Sequence, residues 1–336
     1  MKTDFRDTPR YKGMVLIGLI LFVIVSLFIS VGLGAYKVGP MDIIKAIFVD
    51  KSGMNHNIIY NIRLPRTFVA GLVGVCLALA GAILQGIMRN SLASPSTIGI
   101  TSGAGLMSVI CLVLFPQYEY LVTPAAFVGA VFTTVLIFIL SWKDGINPLR
   151  MVLAGLAVSS LLNALVDLIL IFFPDRVHNT LGFSIGSLSV KAWNDFNRIW
   201  PYALIGFIVA MILSKKLNIL LLGDEIAGSL GVNVERLRVI LILLTSLLAA
   251  SAVSVVGLIS FVGLIVPHIS RILIGSDYKY LLPASALTGA GVLMLCDTIG
   301  RVVAEPMEIP VGIIMAIVGV PFFLYLLRGG IKSARK

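Results

Sequence analysis

Apolar residues run along this chain in long blocks with few charges, at 14–35, 67–88, 96–115, 121–142, 151–173, about 197–214, 239–270, 281–297 and 309–327. A helix that crosses a hydrocarbon core of about 30 Å needs about 20 such residues, so most blocks are one span long. The block from Val239 to Ser270 holds 32 residues. As one helix it would reach about 48 Å, well beyond the core. It is therefore expected to break, with Gly257, Gly263 and Pro267 as break points and a short or partly re-entrant second limb. The pattern predicts an all-α polytopic membrane protein of about ten spans.

Composition supports this reading: 58% of the residues are hydrophobic and 12% are charged. A soluble fold of this length could not cover its outside with so few charges. The excess of 26 Lys and Arg over 16 Asp and Glu would suggest nucleic acid in a soluble chain. In a membrane chain it orients the loops instead. With the N-terminus inside, 17 basic residues fall on the inner side and nine on the outer, which places both termini in the cytoplasm. Lys2, Arg6, Arg10 and Lys12 precede a run from Met14 to Ala35 that is longer than a signal-peptide core, so a retained first span is expected. No linker or low-complexity tract divides the chain, and residues 1–336 read as a single transmembrane domain.

Catalytic chemistry has little foothold. The sequence contains no phosphate-binding loop, His-Glu-x-x-His or Gly-x-Ser-x-Gly motif, so it cannot hydrolyse ATP by itself. Cys76, Cys111 and Cys296 sit singly in apolar runs and read as small buried hydrophobes, and His56, His178 and His268 lie far apart as loop or packing residues. Neither a bound metal nor a cofactor is expected.

Three other stretches carry information. From Gly81 to Gly105 small residues flank a tight cytoplasmic turn, with Asn90 and Ser91 in the turn, Ser94 as helix cap and Pro95 in the first helical turn. Gln85 and Asn90 are polar groups at the membrane boundary and call for a partner. Residues 215–238 hold two helix starts, Asp224 and Asn233, and predict two short cytoplasmic helices presenting Ile226, Ala227, Leu230, Val232 and Val234. Asp297 can pair with Arg301 at i+4, whereas Asp167 has no sequence-near cation and its role stays open.

Arg63-Leu64-Pro65-Arg66, the Gly81–Gly105 segment, the Asp224–Gly231 segment, the stretch from Gly257 through Pro267 and His268 to Arg271, and Asp297-x-x-x-Arg301 with Glu308-x-Pro310-x-Gly312 occur in order over about 60–330. Together they resemble the FecCD-type permeases of iron-siderophore, haem and vitamin B12 importers. Ser91 departs from the family, in which proline commonly follows the asparagine. The resemblance implies an importer permease in the bacterial inner (cytoplasmic) membrane. Its implied partners are a second permease copy or paralogue, two ATP-binding subunits that hold the ATP, and a substrate-binding lipoprotein. It further implies that Arg63, Arg66 and Arg301 dock glutamates of the lipoprotein. Asp224, Glu225, Ala227, Gly228, Leu230 and Gly231 would couple to the ATPases, and Gln85, Met88, Thr101, Ser102 and Met107 are candidates for the pathway lining. An ion-coupled secondary transporter working without an ATPase, its relay built on Asp167 and Asp297, and a membrane scaffold are the alternatives.

A cysteine at Ser91 should react with impermeant thiol reagents only from the cytoplasmic side. Labelling from outside in intact cells would overturn the orientation from the second span onward.

Overall fold

The computed structural model describes residues 8–34, 38–39, 41, 43, 45, 53–141, 148–176 and 182–333. Lys2, Arg6, Lys143, His178 and the basic residues beyond 333 lie outside them. The helices are α1 (Pro9–Gly32), α2 (Leu64–Met88), α3 (Ile100–Leu114), α4 (Val122–Ser141), α5 (Pro148–Phe172), α6 (Trp193–Leu221), α7 (Asp224–Ser229), α8 (Val234–Val256), α9 (Val262–Ile274), α10 (Tyr278–Val302) and α11 (Val311–Ser333). Seven are long and apolar enough to cross a membrane, and α3, α9 and the apolar part of α11 are shorter apolar helices. These ten coincide in position with the ten predicted spans, α9 being the short limb expected after the break, and the six-residue α7 lies outside them. Among the described residues the regular elements are all helical, so the chain is an all-α polytopic protein.

Local chemistry sets the helix ends. Thr8 Oγ1 accepts the Tyr11 N–H at 3.3 Å and Pro9 takes the first position of α1, a pairing that supplies a cap and a preset φ. A π-type turn, Asn57–Arg63, leads into α2. Asn233 caps α8 directly, its Oδ1 accepting the Arg236 N–H at 3.0 Å. The second cytoplasmic helix expected there is therefore the first turn of a span, and α7 stands alone. Ser94 also departs from expectation. Its hydroxyl accepts the Thr97 N–H and closes an irregular turn over 94–99, and α3 starts only at Ile100, after Gly99 in a left-handed conformation.

α2 occupies the centre and is largely buried, whereas α1 and α5 are largely exposed. Small residues bring backbones close around it. A Cβ on Gly74 would lie 2.1 Å from the Gly289 carbonyl of α10, and one on Gly81 would lie 1.8 Å from the Gly263 carbonyl of α9. Gly103 and Gly129 play the same part between α3 and α4.

The long apolar block breaks at 257–261, where Gly257 and Phe261 both have positive φ. Gly263 and Pro267 instead lie inside α9. Gly263 is kept small by its contact with α2. Thirteen residues give α9 only about 20 Å, so it does not cross the core alone. The non-helical backbone beside it is satisfied within the protein: Leu258 N–H donates to Phe183 O, Ser187 N–H to Val256 O, and Gly312 N–H to Gly186 O, at 2.9 to 3.0 Å.

Gly81→Ala should lower stability by about 1–3 kcal/mol or more through overpacking against backbone. Gly13→Ala, where a Cβ meets nothing within 4 Å, should be neutral or slightly stabilising. Thermal unfolding of the detergent-purified chain checks both, and equal melting temperatures for the two variants would refute the close α2–α9 approach.

Candidate functional sites

At the outer end, α1, α2 and α10 converge and bring Arg63, Arg66 and Arg301 into one cluster. All three are buried. Asp297 stands between two of them: Arg66 Nη2 is 2.8 Å from Asp297 Oδ1, and Arg301 Nε lies 3.2 Å from Oδ2 as an ion pair rather than an aligned hydrogen bond. The i+4 pairing of Asp297 with Arg301 is thus present, with Arg66 as a second and closer partner. Arg66 Nη1 reaches on to Glu308 at 2.9 Å, and the Ser189 hydroxyl donates to the same carboxylate, also at 2.9 Å.

Arg63 and Arg301 also close the end of α1. Arg63 donates to the Val31 carbonyl at 2.8 Å and to that of Gly32 at 3.3 Å, and Arg301 donates to the Ser30 carbonyl and hydroxyl and to Leu33. The last carbonyls of a helix have no intrahelical donor and carry the negative end of its dipole, so two guanidinium groups there satisfy both needs. The three arginines for which the resemblance implies docking are thus each held by internal partners. They still line an opening of about 260 Å³ together with Glu305 and Glu308. Burial works against the charge of Glu308, but hydrogen bonds and charge from Arg66, with help from Ser189 and Arg301, hold its carboxyl below the usual glutamate range.

At the inner end, Arg89 is the C-cap of α2, in a left-handed conformation. It donates to the Leu220 carbonyl at 3.2 Å and pairs with Asp224, which Arg238 of α8 also holds at 2.8 Å. This clamp fixes α7 against the ends of α2, α6 and α8. Of the residues expected to present an apolar face, Ile226 and Leu230 are exposed, joined by Leu222. Ala227 is fully buried and Val232 and Val234 pack on the core, so the patch is narrower than expected. Glu225, Gly228 and Gly231 are exposed, and a Cβ on either glycine would meet nothing within 4 Å.

The expected pathway residues separate. Gln85 is buried, its amide within 3.3 Å of the Leu264 carbonyl and its oxygen accepting from Arg271 at 3.0 Å. Met88 and Thr101 are buried, and Met107 is half-buried beside Gly129. Those four pack between helices. Ser102 faces a cavity of about 230 Å³, which Asn163, Asp167, Phe183, Ser184 and Leu258 also line. Asp167 is exposed and lines this mixed polar and apolar cavity, whereas Asp297 is buried and paired with two arginines. His56 stacks on Tyr60 and His268 packs edge-on against Phe322, and among the described residues no three metal-ligating side chains converge.

Sequence reasoning missed Glu308 as a partner of Arg66 and Ser189 as a partner of Glu308, because 242 and 119 positions respectively separate them. Glu308 did stand within a recognised motif, which was the available signal.

Arg66→Ala should cost about 3–5 kcal/mol, since it leaves Asp297 buried with only Arg301. Glu308→Gln should cost under about 1 kcal/mol, because that carboxylate is 42% exposed. The glutamate contribution is present above the ordinary carboxyl pKa and is lost as pH falls through the lowered folded value. The stability gap between wild type and Glu308→Gln should therefore hold at neutral pH and close only in acid. A gap unchanged across the acid range would contradict the link to Arg66.

The comparisons with known proteins agree with this architecture. The model of the FecCD transport family matches residues 20–329. The Fe(3+)-citrate import system permease protein YfmE of Bacillus subtilis is 42% identical over 98% of this chain and 98% of its own length. The Fe(3+)-citrate import system permease protein YfmD of the same organism is 39% identical over 94% of this chain and 95% of its own. A solved structure described as an inward-facing conformation of a metal-chelate type ABC transporter superposes with a TM-score of 0.82 at 32% identity, covering 94% of this chain and 99% of that one. The chain belongs to the FecCD transport family, whose members are permease subunits of ABC importers.

Proposed function

We propose that this chain is the translocation subunit of an importer for iron chelates of the siderophore or citrate type, delivered by a substrate-binding lipoprotein and driven by ATP hydrolysis on partner subunits in the bacterial cytoplasmic membrane. The observation that carries the reading is the opposite character of its two ends. Outside, three guanidinium groups line a single opening; inside, a clamped six-residue helix offers exposed Leu222, Ile226 and Leu230 beside two open glycines. Carboxylates of a binding protein suit the first, because the guanidinium fork takes them by paired hydrogen bonds. A cleft on an ATPase suits the second. The relatives named for Fe(3+)-citrate import support the cargo class. The apolar faces of α5 and α11 provide room for lipid and for a second permease, identical or paralogous.

Docking on this reading is an exchange. A carboxylate of the lipoprotein replaces Glu308 on Arg66, and Glu308 in turn releases Ser189. Glu308→Gln should then raise affinity for the loaded lipoprotein about tenfold and steepen its salt dependence, since an internal competitor is removed. Unchanged affinity and salt slope in a binding titration would dismiss the docking role.

Coupling is tested at residues that carry no internal packing. Ile226→Asp and Leu230→Asp should leave the chain inserted and abolish ATP-driven uptake in proteoliposomes containing the ATPase, with loss of roughly 2–4 kcal/mol of contact energy. Ala227→Arg is a poorer probe, since that side chain is buried. Uptake at wild-type rate in both aspartate variants would exclude α7 as the coupling element.

A further inference from the structure

The inner halves of α4 and α8 leave a groove of about 350 Å³ between them. It runs from Glu235 and Arg238, in the first turns of α8, to Leu243, about 12 Å deeper along that helix. Val135 and Ile139 of α4 and Val239 and Leu243 of α8 line it and are exposed, so in a membrane the groove opens on hydrocarbon. The hydroxyl of Thr134, the one polar group in its deep part, is already engaged: Oγ1 donates to the Ala130 carbonyl at 2.7 Å and lies 3.4 Å from the Ser246 hydroxyl. An occupant of the deep part finds nothing to hydrogen-bond and is therefore itself apolar. A lipid acyl chain has that character and reaches the opening from the bilayer.

Both charged groups of the lining stand at the cytoplasmic end. Arg238 Nη2 donates to Asp224 Oδ1 at 2.8 Å, whereas its Nε is buried and has no hydrogen-bond partner among the described residues. A guanidinium carries five N–H donors, and one left over beside an apolar groove calls for a second acceptor. Glu235 is exposed at the mouth, three residues or about 4.5 Å nearer the cytoplasm. From the membrane core outward the groove thus presents an apolar wall, then a cation, then an anion. A phospholipid with a primary amine in its headgroup has the complementary order: acyl chain, phosphate, ammonium. An anionic lipid would meet repulsion at Glu235, and a choline group has no N–H to donate to it.

We propose that the α4–α8 groove is a binding site for one phosphatidylethanolamine of the inner leaflet, with an acyl chain in the groove, the phosphate on Arg238 and the ammonium on Glu235. The site goes beyond the importer reading and does not depend on it. Arg238 also holds Asp224, at the start of α7, so the bound phosphate steadies a group that fixes that helix.

The test supplies the full chain, purified in mild detergent, with equimolar phosphatidylethanolamine, phosphatidylcholine and phosphatidylglycerol of identical acyl chains, and counts the retained lipids by native mass spectrometry. Wild type should keep one phosphatidylethanolamine with about tenfold preference over each of the other two, the size expected of charge-assisted hydrogen bonds. Glu235→Gln should abolish that preference, and Arg238→Gln should lower retention of all three lipids about tenfold. Because Arg238→Gln also releases Asp224, Val135→Trp serves as a second probe that leaves both charges in place: a large side chain on the exposed wall of α4 fills the groove, and the lipid should be lost at unchanged helical content. Glycerophosphoethanolamine, the same headgroup without tails, should not compete. Equal retention of the three lipids, a preference for phosphatidylglycerol, competition by the tail-less headgroup, or phosphatidylethanolamine that survives both Glu235→Gln and Val135→Trp overturns the proposal. In nanodiscs, hydrogen exchange over Asp224–Ser229 should be about tenfold slower with phosphatidylethanolamine than with phosphatidylcholine. Equal exchange in the two lipids would overturn the link to α7.

Discussion

Backbone that leaves the helix inside a bilayer must find its hydrogen bonds within the protein, because lipid offers none. That constraint organises the outer half of this molecule. α9 is too short to span, and the chain enters it through five non-helical residues. Two other segments, 183–190, which begins in a short helical turn, and 309–312 at the start of α11, come to the same level and exchange hydrogen bonds with that break and with each other. Gly186, Gly257 and Gly312 permit the approach: a Cβ on any of them would sit 1.9 to 2.5 Å from a carbonyl oxygen of a neighbouring segment. Phe183, whose carbonyl accepts from Leu258, lines the cavities on both sides of this junction.

The same junction is linked to the charge cluster. Glu308 sits just before Gly312 and holds Arg66 on one side and Ser189 on the other. Arg66 in turn holds Asp297, and Arg301 joins Asp297 to the end of α1. Neutralising Asp297 by two arginines removes the cost of a lone buried carboxylate, while capping α1 removes that of its orphan carbonyls. One group of side chains thus secures a helix end, a helix pair and a loop. A partner that captured Arg66 would therefore disturb the loop at the mouth of the outer cavity as a direct mechanical consequence.

The inner end works with a different balance. Arg89 and Arg238 share Asp224, which is about half exposed, and such pairs contribute little to stability. Their effect is geometric. They hold α7 so that Ala227 faces inward and Ile226 and Leu230 face outward, and a rigid projection of this kind can transmit a push from a partner to α2, α6 and α8.

The sequence by itself determined the spans, their orientation and the break in the long apolar block, because lipid length, loop charge and glycine placement are all read locally. It also determined the family, through motifs whose order survives without any knowledge of contacts. What it located incorrectly depended on neighbours distant in the chain. Gln85 looked like a pathway residue because it is polar in an apolar run, yet its partners Leu264 and Arg271 lie on α9. The second cytoplasmic helix was legible as a cap at Asn233, but the same cap starts a span as readily as a short helix. The arginines were found as a group, and only the tertiary structure decided that they are buried, paired with Asp297 and Glu308, and bonded to α1. Burial and pairing are properties of three-dimensional neighbours, and a side chain of given chemistry carries no record of which distant backbone will come to lie against it.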